Sequence, residues 1–166
     1  IPHPDNPAFR AGAVLAGLRP GCLPVHGGGP AEPFLEGLGR LVGGAKGLLV
    51  RAAASPVLAG PALSLFPDDE ASFLRSLIGH TVSPTMFKGS PAINVIPDEV
   101  VADLDVRVLP GYSAEDTQAE VSRALGGAAD LEVLEFTPGC ISRVDTPLFE
   151  SIVKAVEAED AQAPAL

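Results

Sequence analysis

Between positions 100 and 108, Asp103, Asp105 and Arg107 take every second place, with Ala102, Leu104, Val106 and Val108 interleaved. Alternation of this kind is the period of a strand with one apolar and one wet face, so two carboxylates and a guanidinium share the wet side. A planar guanidinium so placed can grip a carboxylate through two parallel hydrogen bonds, or pair with Asp103 or Asp105 as exposed strand cations commonly do. Asn94, in Asn94-Val95-Ile96-Pro97, has the setting of a turn former. His80 precedes the β-branched and aromatic run 81–88, where a strand-end imidazole is free to titrate.

Metal chemistry is not expected in this chain. Its histidines, His3, His26 and His80, lie on separate segments, and Cys22 and Cys140 stand alone, without Cys-x-x-Cys spacing. The string His26-Gly27-Gly28-Gly29 has the composition of an oxyanion loop, but no Gly-x-Ser-x-Gly follows to supply a nucleophile. A flexible loop tip is the simpler reading. His-Glu-x-x-His, a phosphate-binding loop and a dinucleotide fingerprint are all missing.

The elements that would carry these residues follow from periodicity. A helix capped by Asp5 or Asn6 runs to about position 18, and helices are expected over 33–42, 46–53, 57–65 and 68–78. Strands are expected over 81–88 and 100–108, joined by a connector that reverses at Gly89-Ser90-Pro91. A helix begins after Ser113 with Asp116 three places on, a strand covers 131–137, and a last helix starts at Thr146-Pro147. The fold class is α+β, an antiparallel sheet with helices on one face, plus a helical elaboration at about 20–78 within a single domain over 1–166.

Composition sets the outer limits. The chain has 166 residues, 46% of them hydrophobic, and a formal charge of −10. Mean hydropathy is +0.29 and the sequence pI about 4.6. A core is therefore affordable, whereas nucleic acid and anionic membranes, which need basic patches, are poor partners. No apolar run nears the ~18 residues of a membrane span. Two isolated cysteines and no leader pattern at Ile1-Pro2-His3-Pro4 lead us to expect a reduced, cytoplasmic protein. A start at Ile rather than Met suggests that the chain begins inside a longer polypeptide.

In order, these features resemble a known family. Asn94-Val95-Ile96-Pro97, the acidic pair Asp98-Glu99, the strand with Asp105-Val106-Arg107 and the closing Leu109-Pro110-Gly111 are similar to the lid, or dimerisation, domain of aminoacylases, succinyl-diaminopimelate desuccinylases and glutamate carboxypeptidases. Pro4-Asp5-Asn6 and Asp145-Thr146-Pro147-Leu148-Phe149 extend the likeness at either end. The resemblance implies a ferredoxin-like lid whose first strand, with its Gly-His-Gly-Ser turn, would lie ahead of Ile1. It implies substrate-binding roles for Arg107, on a carboxylate, and for Asn94, with His80 on the same surface, and no catalytic residue here.

Zinc, by the same resemblance, belongs to a separate catalytic domain of the parent zinc exopeptidase or N-acyl-amino-acid amidohydrolase, and this chain alone would be inert. Its partners would be a peptide or N-acyl amino acid and a second copy in a homodimer. His3-Pro4-Asp5 imitates the family's His-x-Asp zinc pair, but no strand precedes it, so a solvated histidine is expected. The competing expectation is a stand-alone ferredoxin-like module that binds a small ligand or self-associates.

Overall fold

Proline and glycine set the element boundaries. The computed structural model describes residues 5–159. Helix α1 (Pro7–Leu15) starts where the Asn6 side chain accepts the Ala8 N–H at 3.0 Å, with Pro7 in the first turn, where a missing N–H costs nothing. A 3₁₀ turn (Gly29–Ala31) leads into α2 (Glu32–Val42), and Gly43, at φ 64°, breaks the chain before α3 (Gly44–Ala53). Short α4 (Ala59–Leu63) and α5 (Asp68–Ile78) follow. Leu35, Val50, Ala53, Ala59, Leu63, Leu74 and Ile78 close a first core among α2–α5.

Strand β1 (Thr81–Lys88) pairs antiparallel with β2 (Val101–Arg107), from Thr81 opposite Arg107 to Lys88 opposite Val101. Thr85 is the extra residue of a bulge between Pro84 and Met86, and its hydroxyl donates to the Asp103 carbonyl at 3.1 Å. As the alternation requires, Val82, Leu104 and Val106 turn inward while Asp105 and Arg107 face water. The inward face meets a second core of Leu23, Val121 and Leu125, the last two contributed by α6 (Ala114–Ala124) and its C-cap. Helix α7 (Pro147–Glu159) buries none of its residues.

The architecture is α+β, with one expected element corrected. Residues 131–137 form no strand: the described sheet has two strands, and this segment joins no ladder. An extended segment becomes a strand only when its backbone groups find a neighbour, and here Leu131 is held by a helix instead. Gln118 Nε2 donates to the Leu131 carbonyl at 2.6 Å, and the Leu131 side chain packs on the second core.

Candidate functional site

Side chains from three separate stretches of the chain meet where the two cores join. The ring centroids of His26 and His80 are 5.0 Å apart, Tyr112 lies 4.7 Å from each, and Glu120 completes the cluster. His26 is there because its segment crosses beside the entry to β1: Val25 bridges Gly79, and the His26 N–H donates to the Ile78 carbonyl at 2.5 Å. The next residue must be glycine, since a Cβ on Gly27 would stand 2.5 Å from the Ser55 carbonyl oxygen. Tyr112 follows the turn at 109–111 that ends the hairpin. Glu120 is aimed inward by α6, whose start is pinned by a capping box in which Ser113 and Asp116 satisfy each other's backbone N–H.

The hydrogen-bond pattern fixes where the protons are. His26 Nε2 lies 3.0 Å from Glu120 Oε1 and 3.2 Å from Oε2, and a carboxylate only accepts, so that nitrogen carries a hydrogen. His80 Nδ1 accepts the Leu109 N–H at 3.0 Å, which leaves the proton of the neutral ring on Nε2. That atom is buried without a hydrogen-bond partner among the described residues, 3.9 Å from Glu120 Oε2. Burial pushes the His80 pKa below its usual value; Glu120 and Asp116 pull it back, and His26 adds to the lowering. Tyr112 is raised by burial and by the same two carboxylates, so its phenol stays protonated. Asp116 is held low by its Ser113 hydrogen bonds.

A cleft of about 390 Å³ opens in front of this cluster. His26, the backbone of 27–29 and Leu77 line one wall, and Leu109, Pro110 and Tyr112 the other. An imidazole and a phenol in such a wall can orient a polar group.

His26, His80 and Glu120 also offer ligand atoms within 4.8 Å of one another, a donor set that zinc accepts. The proton arrangement does not fit that use. A metal-bound histidine donates through its other nitrogen, whereas His80 Nδ1 already accepts an N–H, so Nε2 has no lone pair to give. Histidines on separate segments can still share a site: His26 and His80 converge, and His3 lies outside the described residues.

Arg107, Asn94 and His80 are not assembled in one place. The Arg107 side chain is 79% exposed and its Nη2 donates to Asp105 Oδ2 at 2.8 Å. It stands opposite Thr81 at one end of the hairpin, whereas Asn94 is exposed in the connector that leaves from the other end. His80 adjoins the Arg107 end, but its side chain is fully buried and faces Glu120. Sequence reasoning did not find Tyr112 or Glu120. A signal for Glu120 existed: it shares a helical stripe with Thr117 and Val121, and an acidic residue on a buried stripe asks for a partner.

Among family models, that of the peptidase dimerisation domain matches residues 36–130, from within α2 to beyond α6. No curated protein and no solved structure matches the chain.

Proposed function

Because the chain belongs to the peptidase dimerisation domain family, whose model spans more than half of it, we propose that it is the lid and dimerisation segment of a zinc-dependent exopeptidase or N-acyl-amino-acid amidohydrolase. The observation that carries this reading is the family match over both strands, the turn at 109–111 and α6. The parent's catalytic domain would supply zinc, an activated water and the general base. This chain would supply the second copy's docking surface and contacts to a peptide or N-acyl amino acid.

Arg107 is the residue proposed to hold the substrate carboxylate. It is exposed, its fork is engaged among the described residues by Asp105, and a guanidinium exchanges one carboxylate for another at little cost in water. Asn94 is proposed as a second contact from the connector, and His80 as a buried support at the foot of the strand pair. In the parent enzyme, Arg107→Ala should lower kcat/KM by a factor equivalent to about 2 to 5 kcal/mol, and Arg107→Lys should not restore it fully. Unchanged kinetics would return Arg107 to an ordinary surface pair. The competing reading, a stand-alone small-ligand module, would use the cleft beside His26 and Tyr112. Genomic sequence on either side, with or without a metallopeptidase catalytic domain, separates the two.

A further inference from the structure

The chain passes between its two cores twice, and the two passages lie side by side. The first, at Val25 and His26, leads into the helices of the first core; the second, at Ile78, Gly79 and His80, leads out of them into β1. They are joined by the Val25–Gly79 bridge and the His26 N–H to Ile78 carbonyl bond. Close backbone packing is confined to the β1–β2 pair and to neighbouring elements of the first core. Two polar contacts gather at the junction: His26 to Glu120 of α6, and His80 to the Leu109 backbone just beyond β2. The cleft lies between the same two walls.

We propose that this double crossing is an acid-sensitive hinge: the His26–Glu120 and His80–Leu109 bonds hold the cleft closed, and protonation of His80 releases the turn at 109–112 and opens it. The chemistry is a conflict over one lone pair. In the closed form His80 Nδ1 is occupied by the Leu109 N–H, so a second proton on the ring must evict that bond. In an opened form the ring takes the proton freely, at the ordinary imidazole value near 6.5. Acid therefore favours the open form by linkage.

The other groups facing His80 are Glu120 and Asp116 on α6, His26 on the adjoining passage, and Tyr112 after the turn. The carboxylates favour the imidazolium, and burial together with His26 opposes it more strongly. His26 and Glu120 keep their bond when His26 is charged, so the junction loses one tie and pivots on the other.

Two measurements on the full chain test this. Hydrogen exchange of the Leu109 amide, corrected for the intrinsic dependence on pH, should accelerate by up to roughly thirtyfold between about pH 8 and about pH 5, while α2 and α3 remain protected. His80→Asn keeps an acceptor for Leu109 and removes the titration, so its exchange should show no such acceleration. Because a fold defect could obscure that variant, the wild-type His80 ring is also followed by nitrogen NMR. The neutral ring should carry its proton on Nε2 and take up its second proton below the usual imidazole value. Protection of Leu109 that does not change with pH, a response that survives in a folded His80→Asn chain, or a neutral ring protonated on Nδ1 would each overturn the hinge. The last result would restore the lone pair a metal needs.

Discussion

The first core and the second core solve different problems with different residues. In the first, α2 and α3 cross so closely that a Cβ on Gly47 would lie 2.2 Å from the Gly39 carbonyl oxygen, and one on Gly39 would lie 2.7 Å from that of Gly47. Leu35, Ala53, Ala59, Leu63 and Ile78 fill the space, and the core is apolar throughout. The second core has three buried apolar residues, Leu23, Val121 and Leu125, and beside them the buried polar residues His80, Thr117 and Glu120. Stability concentrates where helices touch backbone to backbone. Chemistry concentrates where apolar area is short and hydrogen bonds must hold the structure.

The sharpest way to break the first side of this contrast is Gly47→Ala. One methyl group must displace a backbone carbonyl, not a flexible side chain, so α2 and α3 must separate and Leu35 and Val50 lose contacts. A loss of about 3 kcal/mol or more is expected in denaturant unfolding. A loss under about 1 kcal/mol would show that the crossing is loose.

The second side breaks at Glu120. Glu120→Ala removes the acceptor of His26 Nε2–H and leaves it and His80 Nε2–H facing each other with no carboxylate between them. The expected loss is about 1 to 3 kcal/mol, since the His26 donor is left without its acceptor in a largely buried site. Glu120→Gln should cost less, because its amide oxygen still accepts. Tyr112 is the chain's one tyrosine and tryptophan is absent, so intrinsic fluorescence reports this cluster alone and should change in both variants.

A pH titration sharpens the comparison, because only the second core contains a buried titratable ring. With His80 depressed in the folded state, the unfolded chain binds the extra proton first as pH falls. Stability from His80 is thus fully present above about pH 6.5 and declines below it until the folded value is reached, with a slope of at most about 1.4 kcal/mol per pH unit. Asp116, depressed by Ser113, acts later: its contribution is present above 3.8 and declines as pH falls further. The His80→Asn chain should lose the first decline and keep the second.

The two regions also differed in how far they could be read from sequence. Local patterns sufficed for α5, β1 and the capping box at Ser113, because apolar spacing and cap chemistry are written in adjacent residues. Fold class and family followed from the order of such segments. The cluster was not legible, since His26 and Glu120 are 94 positions apart and meet only because two chain passages run side by side. Residues 131–137 failed for the converse reason: a strand-like composition says nothing of whether a neighbouring edge exists.

Self-association is expected to depend on the sheet and not on the helical core. A two-stranded sheet has two outer edges, and Met86, Phe87 and Val101 are exposed at the connector end of the pair. Phe87→Lys, on β1, should weaken the dimer, because a charge on an edge strand opposes strand pairing and subtracts an aromatic contact. Sedimentation at micromolar concentration should show the equilibrium moved toward monomer by about tenfold or more, with Leu41→Lys on α2 as the exposed control. A wild-type chain that is already monomeric would defeat the expectation.

The smallest effect on stability should come from the residue with the largest proposed role in function. Among the described residues Arg107 pairs with Asp105, in an ion pair that water surrounds, and its side chain is largely exposed. Such pairs add little, because the Coulomb gain in high dielectric is spent on ordering two side chains. Arg107→Ala should therefore leave the unfolding midpoint within about 0.5 kcal/mol of wild type. Arg107 precedes the 108–109 segment that carries the His80 acceptor bond, so Leu109 exchange is the stricter check: it should also be unchanged. A variant that loses activity with both measurements intact places the loss in substrate contact, whereas accelerated Leu109 exchange would place Arg107 among the residues that hold the junction.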